Sequence, residues 1–227
     1  MSKSSLALVC VVLLGWSALA GAADLSKPLI LVAKPELRDE LYGSSILVVT
    51  PLGGDQHVGF IVNRPTGVTL GRLFPEHAAS RKIIDPVYLG GPYESQAIFA
   101  LVQRPESLGA RSFEVLPGLF AAFDAAVVDR SIETEPEHAR FVAGLVAWQP
   151  GELRSEVEHG AWYVLEPDAA LVMRKPEGLW EELVRRRQRM DKTYNGLAKR
   201  SRSTVPVVKQ DSEQSFVRWI PVLVPRK

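Results

Sequence analysis

The chain has 227 residues, 46% hydrophobic and 23% charged, enough apolar material for one packed core and too much for a disordered polymer. Its single cysteine, Cys10, lies inside an N-terminal apolar run. If that run is removed, disulfides, thiolate nucleophiles and cysteine metal ligands are all excluded. The formal net charge of +1 hides a division. Residues 23–184 carry 14 Lys/Arg and 23 Asp/Glu, net −9, whereas residues 185–202 carry eight basic residues against Asp191, net +7. The pattern is an acidic body with a basic extension.

The first segment reads as an export signal. Lys3 supplies a positive start, Leu6 to Leu14 is uninterrupted apolar sequence, and Ala18-Leu-Ala20 and Ala20-Gly-Ala22 offer small residues at signal-peptidase spacing. The apolar stretch is shorter than the roughly 20 residues a spanning helix prefers. We therefore expect a signal peptide over residues 1–22 and a periplasmic or secreted protein without a transmembrane helix in its mature form. A cytoplasmic chain is the alternative.

Residues 28–33 (Pro-Leu-Ile-Leu-Val-Ala) form a short apolar run of strand length, and residues 45–50 a stronger one because β-branched side chains dominate it. Pro51-Leu-Gly-Gly-Asp55 is a loop, and residues 57–63 resume strand, so 45–63 reads as an antiparallel hairpin. Residues 68–74 hold one or two helical turns, started at Thr69 and stopped before Pro75. Strands follow at 87–89, 97–103 and 112–116, with Gly90-Gly-Pro92 as a tight turn of unusual dihedrals. Apolar residues at 119, 120, 123, 127 and 128 predict a helix over 119–128. Residues 140–148 read as a buried strand, 152–159 as a short amphipathic helix and 161–165 as a strand. The strongest helical pattern covers 179–190, where Leu179, Trp180, Leu183 and Val184 form a stripe behind Glu181 and Glu182. Residues 192–215 are polar and basic, expected as a mobile tail, and 216–224 could add a strand, although Pro221 interrupts it. Because strands come in runs without β-α-β alternation, we expect an α+β fold, a mostly antiparallel sheet with flanking helices in a single domain.

The search for chemistry yields no catalytic set. None of His57, His77, His138 and His159 stands three or four residues from another, so no helical metal pair exists. Ser44 and Ser45 lack the glycine that a nucleophile elbow requires, and no Walker loop occurs. The acids of Glu133-Thr-Glu-Pro-Glu137 are read as a solvated loop.

Three stretches, in order, resemble the YqgE/AlgH family. They are Leu29-Ile-Leu-Val-Ala-Lys-Pro-Glu-Leu-Arg-Asp39, then Gly59-Phe-Ile-Val-Asn-Arg-Pro-Thr66 with Gly90-Gly-Pro92, then Arg140-Phe-Val-Ala-Gly-Leu-Val-Ala-Trp-Gln-Pro-Gly-Glu-Leu153. The resemblance covers about residues 28–185 and implies a compact α+β fold with a bent, partly barrel-like sheet. It brings no established enzyme activity, cofactor or catalytic residues. One branch of the family is linked to transcriptional control of alginate production, and typical members are cytoplasmic. This chain departs in its export signal, in Thr50-Pro51 where a Glu-His pair is usual, and in some forty additional C-terminal residues.

The expected domains are the signal (1–22), the family domain (23–190) and the basic extension (191–227). The expected role is that of an exported, non-catalytic binding or interaction protein of the bacterial envelope, without cofactor or metal. Asn63, Arg64, Gly90, Gly91 and Trp148 are the candidate ligand-binding residues. Arg64 would present its fork to a carboxylate or phosphate, or close an internal salt bridge to a turn carboxylate. Trp148 is read as a core aromatic in preference to a stacking platform. The ligand or protein partner is left open. The basic residues between Arg185 and Arg202 could meet an anionic surface, and nucleic acid is an improbable partner for an exported chain. The alternatives are a transcription-linked regulator if the protein is cytoplasmic, and a hydrolase with its site near Asn63, Arg64 and Gly90.

Overall fold

The computed structural model describes residues 23–202. The signal segment expected over residues 1–22 and the strand suggested at 216–224 lie outside the described residues. The chain divides into two compact units, one ending at Arg187 and one beginning at Gln188.

The body is built on ten strands: β1 (Leu29–Ala33), β2 (Ile46–Gly53), β3 (Gln56–Ile61), β4 (Pro65–Thr69), β5 (Pro86–Leu89), β6 (Tyr93–Gln103), β7 (Ser112–Leu116), β8 (Leu119–Ala122), β9 (Ala139–Trp148) and β10 (Trp162–Leu165). Five helices accompany them: α1 (Leu70–Leu73), α2 (Ala125–Thr134), α3 (Glu152–Glu158), α4 (Ala169–Val172) and α5 (Leu179–Arg202). The main path of the sheet runs β10-β1-β2-β3-β9-β6-β8-β7, and every pairing along it is antiparallel. Off this path β5 lies parallel to β9 and antiparallel to β4. The architecture is the expected α+β fold with a mostly antiparallel sheet, bent and partly barrel-like as the family resemblance implied.

β1, β2 and β3 are apolar without alternation because both of their faces are covered. Ile30, Val32, Ile46, Val48 and Phe60 share one core with Leu101, Leu116 and Leu119 of the far strands and with Leu171, Val172, Leu179 and Leu183 of the last two helices. Their sequence neighbours Leu29, Leu31, Leu47, Val49 and Ile61 pack on the opposite face with Trp148, Leu153 and Trp162. Alternate residues of β6 and β9, Ala100, Val102 and Phe141, meet Val128 and Ile132 of α2 in a third cluster. The period-2 geometry of a strand distributes one apolar run between two cores.

The hairpin expected over 45–63 forms, with Gly54 and Asp55 at its tip, both at positive φ. The helical turn at residues 70–73 also forms, with Thr69 at its N-cap position. Two expectations are corrected here. Residues 119–122 are the strand β8, paired with β7 and β6, and the helix starts only at Ala125, where the Asp124 carboxylate accepts the Ala126 N–H. A polar cap between two apolar groups splits what spacing alone had merged. At the other end, α5 does not stop at Met190 but runs to Arg202. Among the described residues no helix is long and apolar enough to cross a membrane.

Candidate functional site

Pro65 keeps Arg64 out of helical backbone, so the chain leaves β3 extended. The Asn63 amide then completes the ladder beyond the strand. Its oxygen accepts the Ile46 N–H at 2.8 Å and its nitrogen donates to the Ser44 carbonyl at 2.9 Å, holding Ser44 at a φ of 61°. The Arg64 fork donates to the Glu40 carbonyl at 3.1 Å and to the Gly43 carbonyl. It therefore binds main chain, not the turn carboxylate suggested by the sequence. Asp39 braces the same loop by accepting from the Leu41 and Tyr42 N–H groups. The two side chains act as a staple on residues 39–45. Replacing Arg64 by lysine removes the planar fork that spans two carbonyls, and a charged hydrogen bond is lost. We expect a destabilisation of about 1–2 kcal/mol. Hydrogen exchange of the Leu41, Tyr42 and Gly43 amides should accelerate, and unchanged exchange would exclude the staple.

Gly90 and Gly91 sit where β3 and β5 exchange places along one edge of β9. The Gly90 N–H donates to the Ala143 carbonyl at 2.7 Å, and its carbonyl accepts the Ile61 N–H at 2.8 Å. Neither glycine has a positive φ, which corrects the expected turn of unusual dihedrals. What the position demands is space. A Cβ on Gly90 would lie 2.2 Å from the Gly144 carbonyl oxygen, and one on Gly91 would lie 2.1 Å from that of Leu145.

Beside this seam Arg140 is buried, stacked 4.2 Å above the Tyr88 ring and donating to the Val62 carbonyl at 2.6 Å and the Arg174 carbonyl at 2.8 Å. Burial draws its pKa below that of a free guanidinium, the Tyr88 phenol and the charges of Asp85 and Glu177 opposing. A cleft of about 80 Å³ opens here between Asp85, Tyr88, Glu137, Arg140 and Met173.

Trp148 lies elsewhere, buried in the core around α3. Its indole N–H donates to Glu156 at 3.1 Å, and that of Trp162 donates to the same carboxylate oxygen at 2.7 Å. It is a core aromatic. Of the five candidate residues, Asn63 and Arg64 hold the 39–45 loop, the Arg64 carbonyl accepts the Leu89 N–H at 2.8 Å next to Gly90 and Gly91 at the seam, and Trp148 packs around α3.

Two polar groupings escaped the sequence reading. His77 Nδ1 lies 2.7 Å from the Ser80 hydroxyl, and Nε2 lies 3.4 Å from a Glu133 carboxylate oxygen. A carboxylate only accepts, so Nε2 is the donor towards Glu133, and in the neutral imidazole Nδ1 would then receive the Ser80 O–H. That is the hydrogen-bond order of a general base next to a serine. Ser80, however, is fully buried, with no accessible surface. The second grouping is an open groove of about 360 Å³ lined by Gln103, Arg104, Pro105, Glu106, Glu135 and His138, with Arg104 and Glu135 paired at 3.1 Å. Glu133 and Glu135 are thus engaged rather than merely solvated. Only the 56-residue separation of His77 from Glu133 hid the first grouping.

The AlgH-like family model, DUF179, matches residues 30–191, most of the chain. This chain belongs to the YqgE/AlgH family. A UPF0301 protein of Myxococcus xanthus is 32% identical over 163 residues, covering 70% of this chain and 88% of its own. One from Thermobifida fusca is 30% identical, over 69% and 84% respectively. The solution structure of AlgH from Pseudomonas aeruginosa matches with a TM-score of 0.58 at 22% identity, over 70% of this chain and 86% of that one. The crystal structure of DIP2367 from Corynebacterium diphtheriae gives 0.59 at 20%, over 71% and 86%. At such identities the structural likeness carries the fold. The family's Asn-Arg-Pro and Gly-Gly-Pro motifs fall on the staple and the seam, and Trp-Gln-Pro-Gly-Glu-Leu starts α3.

Proposed function

We propose that the protein is exported and serves in the bacterial envelope as a non-catalytic binding or interaction protein, with a basic segment directed at an anionic surface. The observation that carries this reading is the leader pattern itself: Lys3, the apolar run from Leu6 to Leu14 and the small residues ending at Ala22. Just downstream, Leu25 is buried, and its carbonyl accepts from His57 Nε2 at 2.8 Å. A chain cut after Ala22 keeps that anchor. The non-catalytic half of the reading is supported by the way the motif arginines are used, since Arg64 and Arg140 both donate to main-chain carbonyls. Intact-mass measurement on periplasmic and cytoplasmic fractions tests the proposal. A periplasmic species starting at Ala23 is expected. A full-length cytoplasmic species would overturn export and restore the transcription-linked alternative.

A hydrolase reading has one observation in its favour, the order Ser80, His77, Glu133. The burial of Ser80 opposes it, because a nucleophile must reach its substrate. We expect no labelling of the folded protein by a fluorophosphonate. Labelling that vanishes in Ser80→Ala would install this reading instead.

A further inference from the structure

Beyond Gln188, α5 is two-sided. At about 100° per residue, positions 189, 192, 199 and 200 fall within an arc of roughly 100° and hold Arg189, Lys192, Lys199 and Arg200. Positions 190, 194 and 197, which are Met190, Tyr194 and Leu197, fall in an adjacent arc of roughly 60°. Met190 and Tyr194, one helical turn apart, are 56% and 73% exposed. Residues 188–202 carry five basic side chains against Asp191, net +4.

A helix end favours cations through its macrodipole, and that accounts for Lys199, Arg200 and Arg202 in the last turn. The effect fades within one turn and does not account for Arg189 or Lys192, both exposed. Nor does it account for an apolar stripe at their side. Cationic positions beside an apolar row in which Met190 and Tyr194 are exposed are the pattern of a helix lying in a bilayer interface, where tyrosine in particular prefers the headgroup level.

We propose that residues 188–202 form an interfacial helix that attaches the protein to an anionic phospholipid bilayer. This deepens the anionic-surface part of the proposed function and does not depend on export, because both faces of a bacterial inner membrane present anionic lipid headgroups. Charge complementarity chooses the occupant: the segment's net +4 suits anionic headgroups, and the stripe suits the boundary of the acyl chains.

The test is co-sedimentation of the chain from Ala23 to its C-terminus with phosphatidylglycerol/phosphatidylcholine vesicles and with pure phosphatidylcholine vesicles, at low and high salt. Binding is expected only to the anionic vesicles, weakening by more than about tenfold at high salt as the surface charge is screened. Each basic side chain near such a surface contributes roughly a factor of five, so Arg189→Glu/Lys192→Glu/Arg200→Glu should lose more than about 30-fold. Met190→Ser/Tyr194→Ser should lose several-fold while keeping the salt dependence, which a purely electrostatic contact would not show. Circular dichroism melts of both variants confirm that the body is intact. Equal binding to both vesicle types overturns the proposal. So does binding by the triple variant equal to the parent's. Preference for a duplex oligonucleotide over anionic vesicles overturns it in favour of nucleic acid. Failure here leaves the periplasmic mass measurement untouched, so the two readings fall separately.

Discussion

Gly91→Ala is expected to destabilise the protein by about 4 kcal/mol or more, a loss that belongs to the exceptional tail of single substitutions. A methyl group there would meet the Leu145 carbonyl oxygen at 2.1 Å, its carbonyl carbon at 2.2 Å and the Val146 nitrogen at 2.6 Å. All three are backbone atoms in the middle of β9, a strand hydrogen-bonded along both edges. No rotamer change relieves the overlap, so β9 or the whole β5–β6 connection must move. The opposite side of the seam is equally tight, because a Cβ on Gly144, at φ +75°, would stand 2.4 Å from the Gly91 carbonyl oxygen. For a domain of this size the melting temperature should fall by about 10 °C or more. Gly54→Asn provides the contrast. Gly54 has φ +58° with nothing within 4 Å of its Cβ position, and asparagine tolerates that conformation, so a change within about 0.5 kcal/mol is expected. If Gly91→Ala melts within a few degrees of the parent, the close approach at the seam is not real.

The same seam shows what a sequence conveys and what it withholds. β1, β2, β3 and β9 were legible because their apolar, β-branched runs are one strand long and bounded by Gly, Pro or Asn. β4 was not, since Pro65-Thr-Gly-Val-Thr69 is largely exposed and earns its strand only by pairing with β5. Residues 119–128 misled because Leu119, Phe120, Phe123, Val127 and Val128 satisfy a helical period, while Asp124 has the stronger local claim as a cap. Gly90-Gly91 was noticed for the wrong reason. A glycine pair announces an unusual backbone, but it does not say whether dihedral freedom or the nearness of another strand required it.

The site was less legible than the fold, and the reason is separation along the chain. Asn63 and Arg64 stood out by their motif, yet their partners, Ser44, Ile46, Glu40 and Gly43, are backbone groups that carry no side-chain signature. Arg140 bonds Val62 across 78 residues and Arg174 across 34. Its burial inside an apolar strand was the one available hint, because a lone arginine in such a run needs acceptors that only tertiary structure supplies.

Glu156 completes the case, because it ties two tryptophans with one oxygen. Trp148 and Trp162 are each 4% exposed, and both indole N–H groups end on Glu156 Oε2. Tyr42 sets its ring edge-on against Trp162 with centroids 6.2 Å apart, and burial, reinforced by the nearby Glu156 charge, pushes its phenol up to about 12. Glu156→Ala leaves two buried donors unsatisfied and should cost about 2–4 kcal/mol. Glu156→Gln keeps an acceptor oxygen for both indoles and removes a charge that burial penalises, so it should retain most of the parent's stability. Burial raises the Glu156 pKa above its ordinary 4.5, with the two indole hydrogen bonds opposing. The folded state therefore holds this proton more tightly than the unfolded chain does. Its contribution is fully present below the ordinary carboxylate value and is lost as pH climbs through the raised folded value. Glu156→Gln carries no such proton, so chemical denaturation across pH 4–8 should show the parent losing ground to it as pH rises, then levelling. A pH-independent difference would mean that the carboxylate is not desolvated. Equal losses in the alanine and glutamine variants would mean that the shared oxygen does not hold the two indoles.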